Sequence, residues 1–177
     1  VPQAPEFLRV MRERDVLLGL HVGGRPTNLD FHEPHIEPLF EIHSTHATSE
    51  WFVLDVIRRG CRVGITGGTD GVMGRPGACH PGRRLTRNVN NGLTAIRADE
   101  LSRSGLWSAL KARQCYATSG ARILLDVEAD GHKMGSEYVA TGVPELHVQV
   151  EGTAPIERID VLCDTDIVYR EQIAERQ

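Results

Sequence analysis

The sequence predicts an α/β layer followed by a small antiparallel β module, and three observations carry that prediction. Short continuous apolar runs at 16–20 (VLLGL), 38–42 (PLFEI) and 62–66 (RVGIT) suit strands covered on both faces. They are interleaved with amphipathic stretches at 51–59 and 102–113, the alternation expected of a parallel sheet. Beyond Gly120 the texture changes to period-two alternation, as in HVQV and ERIDVL, punctuated by Gly131, Gly142, Gly152 and Pro155. The boundary is placed at Gly120, giving an α/β domain over 1–120 and a sandwich-like β module over 121–177.

Each element has a local reason. Residues 6–14 put Phe7, Leu8, Val10 and Met11 on roughly one helical face after Pro5, which suits a first turn. The strand at 16–20 ends at His21, and Gly23, Gly24 and Pro26 then break the chain into a loop. The strand at 38–42 ends at His43. Thr48, Ser49 and Glu50 open a helix that places Trp51, Leu54 and Ile57 on its apolar face and stops at Gly60. The third strand, 62–66, runs into a loop over 67–91 rich in Gly, Pro, Asn and Arg, and loops of that length are usually functional. A fourth strand at 92–96, a helix with Leu106, Trp107, Ala109 and Leu110 inward, and a short strand at 115–117 complete the layer. Strands at 123–128, 146–151, 158–163 and 167–170 form the second module.

Composition narrows the function classes. The 177 residues are enough for one domain, or a domain and an appendage, with a real core. Hydrophobic and charged fractions of 40% and 25% are those of a globular protein. A net charge of −4 argues against a general nucleic-acid surface. No apolar run reaches the roughly 18 residues needed to span a bilayer. Cys61, Cys79, Cys115 and Cys163 form no CxxC pair and read as reduced thiols of a cytoplasmic protein. The opening VPQAPEFLRV has neither an initiator Met nor a signal pattern, and predicts a piece of a longer chain.

The chemistry gathers around residues 62–77, RVGITGGTDGVMGRPG. A buried strand there delivers Asp70 at its carboxyl end, where ligands bind in α/β sheets. The bland alternative is an ordinary Asp-Gly turn. Six of the 8 histidines (His21, His32, His35, His43, His46, His80) lie between positions 21 and 80, with Asp and Glu among them. Three consecutive strands thus end in a metal-capable side chain: His21, then Glu41 or His43, then Asp70. Parallel strands bring such ends to one rim, and imidazole with carboxylate suits a divalent ion such as Zn, Mn or Fe. Arg75, Arg83, Arg84 and Arg87 add guanidinium forks suited to phosphate, and the backbone of Gly67-Gly68 and Gly74 can form an anion nest. Against this, a single strand-end His is more often structural, and Glu41 can be a buried carboxylate paired with Arg. His32, His35, His132 and His147 read as surface positions, and Arg83, Arg84 and Arg87 as a solvated face.

GITGGTDGVMGRPGA (64–78), the segment GLTAIRADELSRSGLWSALKARQCYATSGARILLDVEADGHKMG (92–135) and PLFEIHSTHATSEW (38–51) together resemble a known family. They are similar to the C-terminal part of an uncharacterised bacterial branch of the PHP (polymerase and histidinol phosphatase) superfamily, over roughly residues 16–170. The resemblance implies a metal-dependent hydrolase on a distorted β/α barrel, of which this chain would be the C-terminal part. It implies that His21 is a late barrel ligand and Asp70 the aspartate of a terminal ligand pair. The partner histidine of that pair is replaced by Val72, with His80 as a substitute from the loop, and the early His-x-His ligands would lie upstream of Val1.

These expectations combine into part of a metal-dependent phosphoesterase acting through metal-activated water on a small phosphorylated substrate. His21, Glu41, Asp70 and His80 are its metal ligands, and Arg75 the catalytic residue on the substrate loop. The open edge of a partial barrel calls for the missing N-terminal part of the chain or a second copy. The alternative is a non-catalytic domain with a degenerate metal site, serving in binding or assembly. A metal-free anion site at Gly67-Gly68 is a third expectation.

Overall fold

The computed structural model describes residues 4–21, 27–44, 46–71 and 92–173. Helix α1 (Ala4–Met11) leads into β1 (Gly19–Leu20), a single 3-10 turn at Leu29–Phe31 and β2 (Leu39–His43). Then come α2 (Glu50–Arg58), β3 (Gly64–Gly67), β4 (Leu93–Ile96), α3 (Arg103–Lys111) and β5 (Cys115–Thr118). The chain closes with β6 (Leu124–Ala129), β7 (His132–Lys133), β8 (Leu146–Glu151), β9 (Arg158–Cys163) and β10 (Asp166–Gln172).

The first sheet is parallel in the order β1-β2-β3, with Leu20 opposite Phe40 and Phe40 opposite Ile65. Its core is Leu20, Leu29, Phe40, Phe52 and Val56, with Ile42, Val63 and Ile65 packed against it. Phe40 meets Phe52 edge-to-face at 5.4 Å, a favoured aromatic geometry. Helix α2 therefore buries Phe52 and Val56, not the face predicted from the sequence: Trp51 is 59% exposed. Ser49 stands at its N-cap without a side-chain capping bond, whereas Ser102 caps α3 by accepting from the Gly105 amide at 3.0 Å.

The expected barrel is not formed. The described strands fall into four separate sheets of two or three strands, with three helices among them, and none closes. Past β3 the ladder gives way to a side-chain contact at Gly67. The Thr94 hydroxyl accepts from the Gly67 amide at 3.0 Å and donates to the Gly67 carbonyl at 2.7 Å, taking the place of a neighbouring strand's backbone. Strand β4 then pairs antiparallel with β5, with Leu93 opposite Thr118 and Ile96 opposite Cys115. Alternating apolar runs on the sequence fix neither strand direction nor closure.

Beyond β5 the sheets are antiparallel: β7-β6-β8 in one, and a β9-β10 hairpin in the other. The Tyr116 hydroxyl on β5 donates to the Ile123 carbonyl at 2.8 Å and accepts from the Leu125 amide at 3.0 Å, joining β5 to the start of β6. Arg97 pairs with Asp126 and, at 3.6 Å, with Glu128, and Arg62 and Arg113 pair with Glu137.

Candidate functional site

The register of the parallel sheet builds the first half of the site. Leu20 faces Phe40, so the next positions bring His21 beside Glu41. His21 Nδ1 is hydrogen-bonded to Glu41 Oε2. The His21 backbone is pinned as well: its amide donates to Thr27 Oγ1 at 3.1 Å, and its carbonyl accepts from the Thr27 hydroxyl at 2.9 Å and the Thr27 amide at 3.0 Å. Gly68 leaves room for this carboxylate: a Cβ there would lie 2.2 Å from Glu41 Oε1 and would displace it. The Glu41 carboxylate thus rests on the backbone just past β3, and Thr66, its partner on that strand, donates to the Phe40 carbonyl at 3.0 Å.

A register shift between Glu41 and His43 re-aims the end of β2. His43 is buried, and its Nδ1 is 2.6 Å from Thr48 Oγ1 across an isolated antiparallel bridge. The Ser44 amide donates to the Ala47 carbonyl at 3.2 Å and the Ser49 amide to the Ile42 carbonyl at 2.7 Å, folding the chain back on itself. The returning segment carries His46 to Asp70, with Nε2 2.6 Å from Oδ2. Asp70 has φ of +45°, a left-handed conformation that Asp tolerates better than most residues. Both partners are partly shielded, at 29% and 25% side-chain exposure.

The expected ligands are thus divided into two His–carboxylate pairs. Glu41 is engaged with His21, and Asp70 with His46, a histidine that sequence reasoning grouped with the cluster without giving it a role. The signal was its position three residues after His43, within a stretch short enough to fold back. Among the described residues, no group of three or more His, Cys, Asp or Glu side chains is gathered so as to hold a metal ion. Arg75, His80, Val72 and Arg83, Arg84 and Arg87 lie outside the described residues.

The anion nest is not available at Gly67-Gly68. The Gly67 amide is taken by Thr94 Oγ1, and the Gly68 amide donates to the His43 carbonyl at 2.8 Å. His32, expected in solvent, instead has its side chain largely covered. Its Nδ1 lies 3.3 Å from Glu37 Oε2, with side-chain exposures of 6% and 9%, and the same oxygen accepts from the Glu33 amide at 2.7 Å. His35, His132 and His147 are exposed.

Comparison with known proteins gives partial matches only. Residues 77–146 match a family described as a protein of unknown function (DUF3604). An uncharacterized protein of Chlamydia trachomatis serovar D is 34% identical over 126 residues, covering 68% of this chain and 20% of that protein. Uncharacterized proteins of Chlamydia muridarum and Chlamydia pneumoniae are 37% and 36% identical over 84 residues, covering 44% of this chain and 14% of each relative. The chain therefore spans about a fifth or less of the length of these relatives. No solved structure matches it.

These matches correct the resemblance drawn from the sequence. Neither the family nor the relatives point to the PHP superfamily. The physical reason is the low information of the motif: a glycine turn and an aspartate after a buried strand recur wherever a strand must end at a ligand-facing rim. No described helix is long and apolar enough to cross a membrane.

Proposed function

We propose that the rim formed by the ends of β1, β2 and β3 holds a divalent metal ion and contributes to the hydrolysis of a small phosphoester. The observation that carries this reading is the His21–Glu41 pair. Metal-binding imidazoles are commonly held by a carboxylate on the ring nitrogen that does not face the ion, which fixes both tautomer and orientation. Glu41 does this to Nδ1 of His21, leaving Nε2 as the donor, while Thr27 holds the His21 backbone.

The imidazole donor His21 Nε2 suits zinc, manganese or iron, with the further ligands supplied from beyond the described residues. Bound there, a divalent ion supplies Lewis acidity toward a phosphoryl oxygen and acidifies water. The chain's own residues supply the rest of the proposed chemistry. Asp70 holds His46 through Nε2 and fixes its ring orientation, so this pair can serve a proton transfer through the other ring nitrogen, Nδ1. Arg75 is the proposed contact to the phosphate, and His80 a further ligand.

The test is hydrolysis of p-nitrophenyl phosphate by the 177-residue chain with added zinc or manganese, with and without chelator. The expected result is turnover that chelator abolishes and that falls about 10–100-fold in Glu41→Gln, which keeps size but removes the orienting charge. Turnover indifferent to chelator and to Glu41→Gln overturns the reading. So does an absence of turnover in a chain that takes up metal, which favours a non-catalytic binding role.

A further inference from the structure

A cleft of about 780 Å³ opens at the other end of β3 from the histidine rim. At about 3.3 Å per residue, Val63 lies roughly 16 Å from Gly68, so the two sites are separate. The cleft is bounded by the last turn of α2, the start of β3, the start of β5 and the irregular segment 134–139. Its volume is within the range of roughly 300–1,000 Å³ typical of small-molecule sites.

Its chemistry is divided between an apolar interior and a charged mouth. Ile57, Val63, Ile65 and Met134 line the interior. Cys61 and Cys115 join them, and burial pushes the Cys115 thiol up to about 11, so it stays neutral and behaves as apolar surface. At the mouth, Glu137 bridges two guanidinium groups. One carboxylate oxygen is bound by Arg62 and the other by Arg113 Nη2 at 2.6 Å. The chain's own carboxylate therefore displays what this pair of arginines recognises. Two positive charges against one negative leave a surplus of one.

The two arginines are held differently. Arg113 is 22% exposed, and its Nη2 also donates to the Gly135 carbonyl at 3.1 Å. Gly135 has φ of +84°, and a Cβ there would lie 2.2 Å from the Ala112 carbonyl oxygen, so that backbone contact is open only to glycine. Arg113 is thus fixed in place. Arg62 and Glu137 are 70% and 46% exposed, and ion pairs in such surroundings are weak, so Glu137 is readily exchanged for another carboxylate.

We propose that this cleft binds a small amphipathic carboxylate, with its apolar body against Ile57, Val63, Ile65 and Met134 and its head group on Arg62 and Arg113 in place of Glu137. The proposal is independent of the metal-site reading. Octanoate is the probe, titrated calorimetrically into the 177-residue chain, with octanol, octylammonium and inorganic phosphate as comparisons. The expected Kd for octanoate is on the order of 0.1–1 mM, with octanol and octylammonium at least about tenfold weaker. Arg62→Ala, at an exposed position, should weaken octanoate binding about tenfold, and Glu137→Gln should tighten it about threefold by removing the internal competitor. Octanol binding as tightly as octanoate, or an Arg62→Ala chain that binds octanoate normally, would overturn the proposal. Phosphate binding as tightly as octanoate would also overturn it, by showing a simple anion site to which the apolar wall adds nothing.

Discussion

In the layer that ends at β5, Leu20, Phe40 and Val56 are fully buried, whereas every residue of β10 is exposed. All the buried apolar side chains of the described chain lie between Leu8 and Cys115. Past that point Leu124, Leu146, Val148, Leu162, Ile167, Val168 and Tyr169 are each at least 40% exposed. The two regions therefore rest on different forces. Burial of a large apolar side chain is worth about 1.5–3 kcal/mol, while the second region leans on weaker, solvent-screened ion pairs such as Arg170–Asp160. The β9-β10 hairpin is a two-stranded ribbon, a unit that is marginal in water without further packing. The lesson is that strand count alone says little about where stability resides.

The largest predicted effect lies in the first region. Phe40→Ala should cost about 3–5 kcal/mol in denaturant unfolding, because it removes the centre of the core and its contact with Phe52. A cost below about 1 kcal/mol would break the comparison, since it would leave the layer no better packed than the hairpin.

An intermediate effect belongs to the hairpin and to pH. The hydrogen bonds from Arg170, followed by the charge of Arg158, hold the Asp160 carboxyl below the usual carboxylate range. A carboxyl with a lowered folded-state pKa contributes stability above its unfolded value and loses it as pH falls through the folded value. Amide-exchange protection of β9 and β10 should therefore be flat from about pH 5 to 8 and decline below about pH 4, and Asp160→Asn should remove the decline. Protection in β1 to β3 falling in parallel at the same pH, and rescued by the same variant, would show the regions to be one cooperative unit. The smallest effect is Val168→Thr, at a position 61% exposed, which should stay within about 0.5 kcal/mol of the parent in the same unfolding assay.

Legibility in the sequence follows the same division between local and non-local physics. PLFEI and RVGIT were readable as strands because a continuous apolar run needs cover on both faces, and β2 and β3 fall on them. The period-two segments after Gly120 correspond to β6, β8, β9 and β10. The phase of α2 was misread because Trp51, the largest apolar residue, drew the face toward itself, while the register of the sheet selects Phe52 and Val56. The barrel was not legible because the ladder gives way at Gly67 to Thr94, a side chain nearly thirty positions away. His21 and Asp70 were visible as strand-end residues. Their partners were less so: Glu41 meets His21 through strand register, and His46 reaches Asp70 beside the bridge that pairs Thr48 with His43.

The proposed metal site at the carboxyl-end rim of β1 to β3 depends on His21, which Glu41 orients. Its most direct test is a calorimetric titration of zinc into the chelator-treated 177-residue chain, beside its His21→Ala variant. The account predicts stoichiometric uptake by the parent chain and its loss in the variant, with unchanged far-ultraviolet circular dichroism. No uptake by the parent chain, or equal uptake by both, would contradict it.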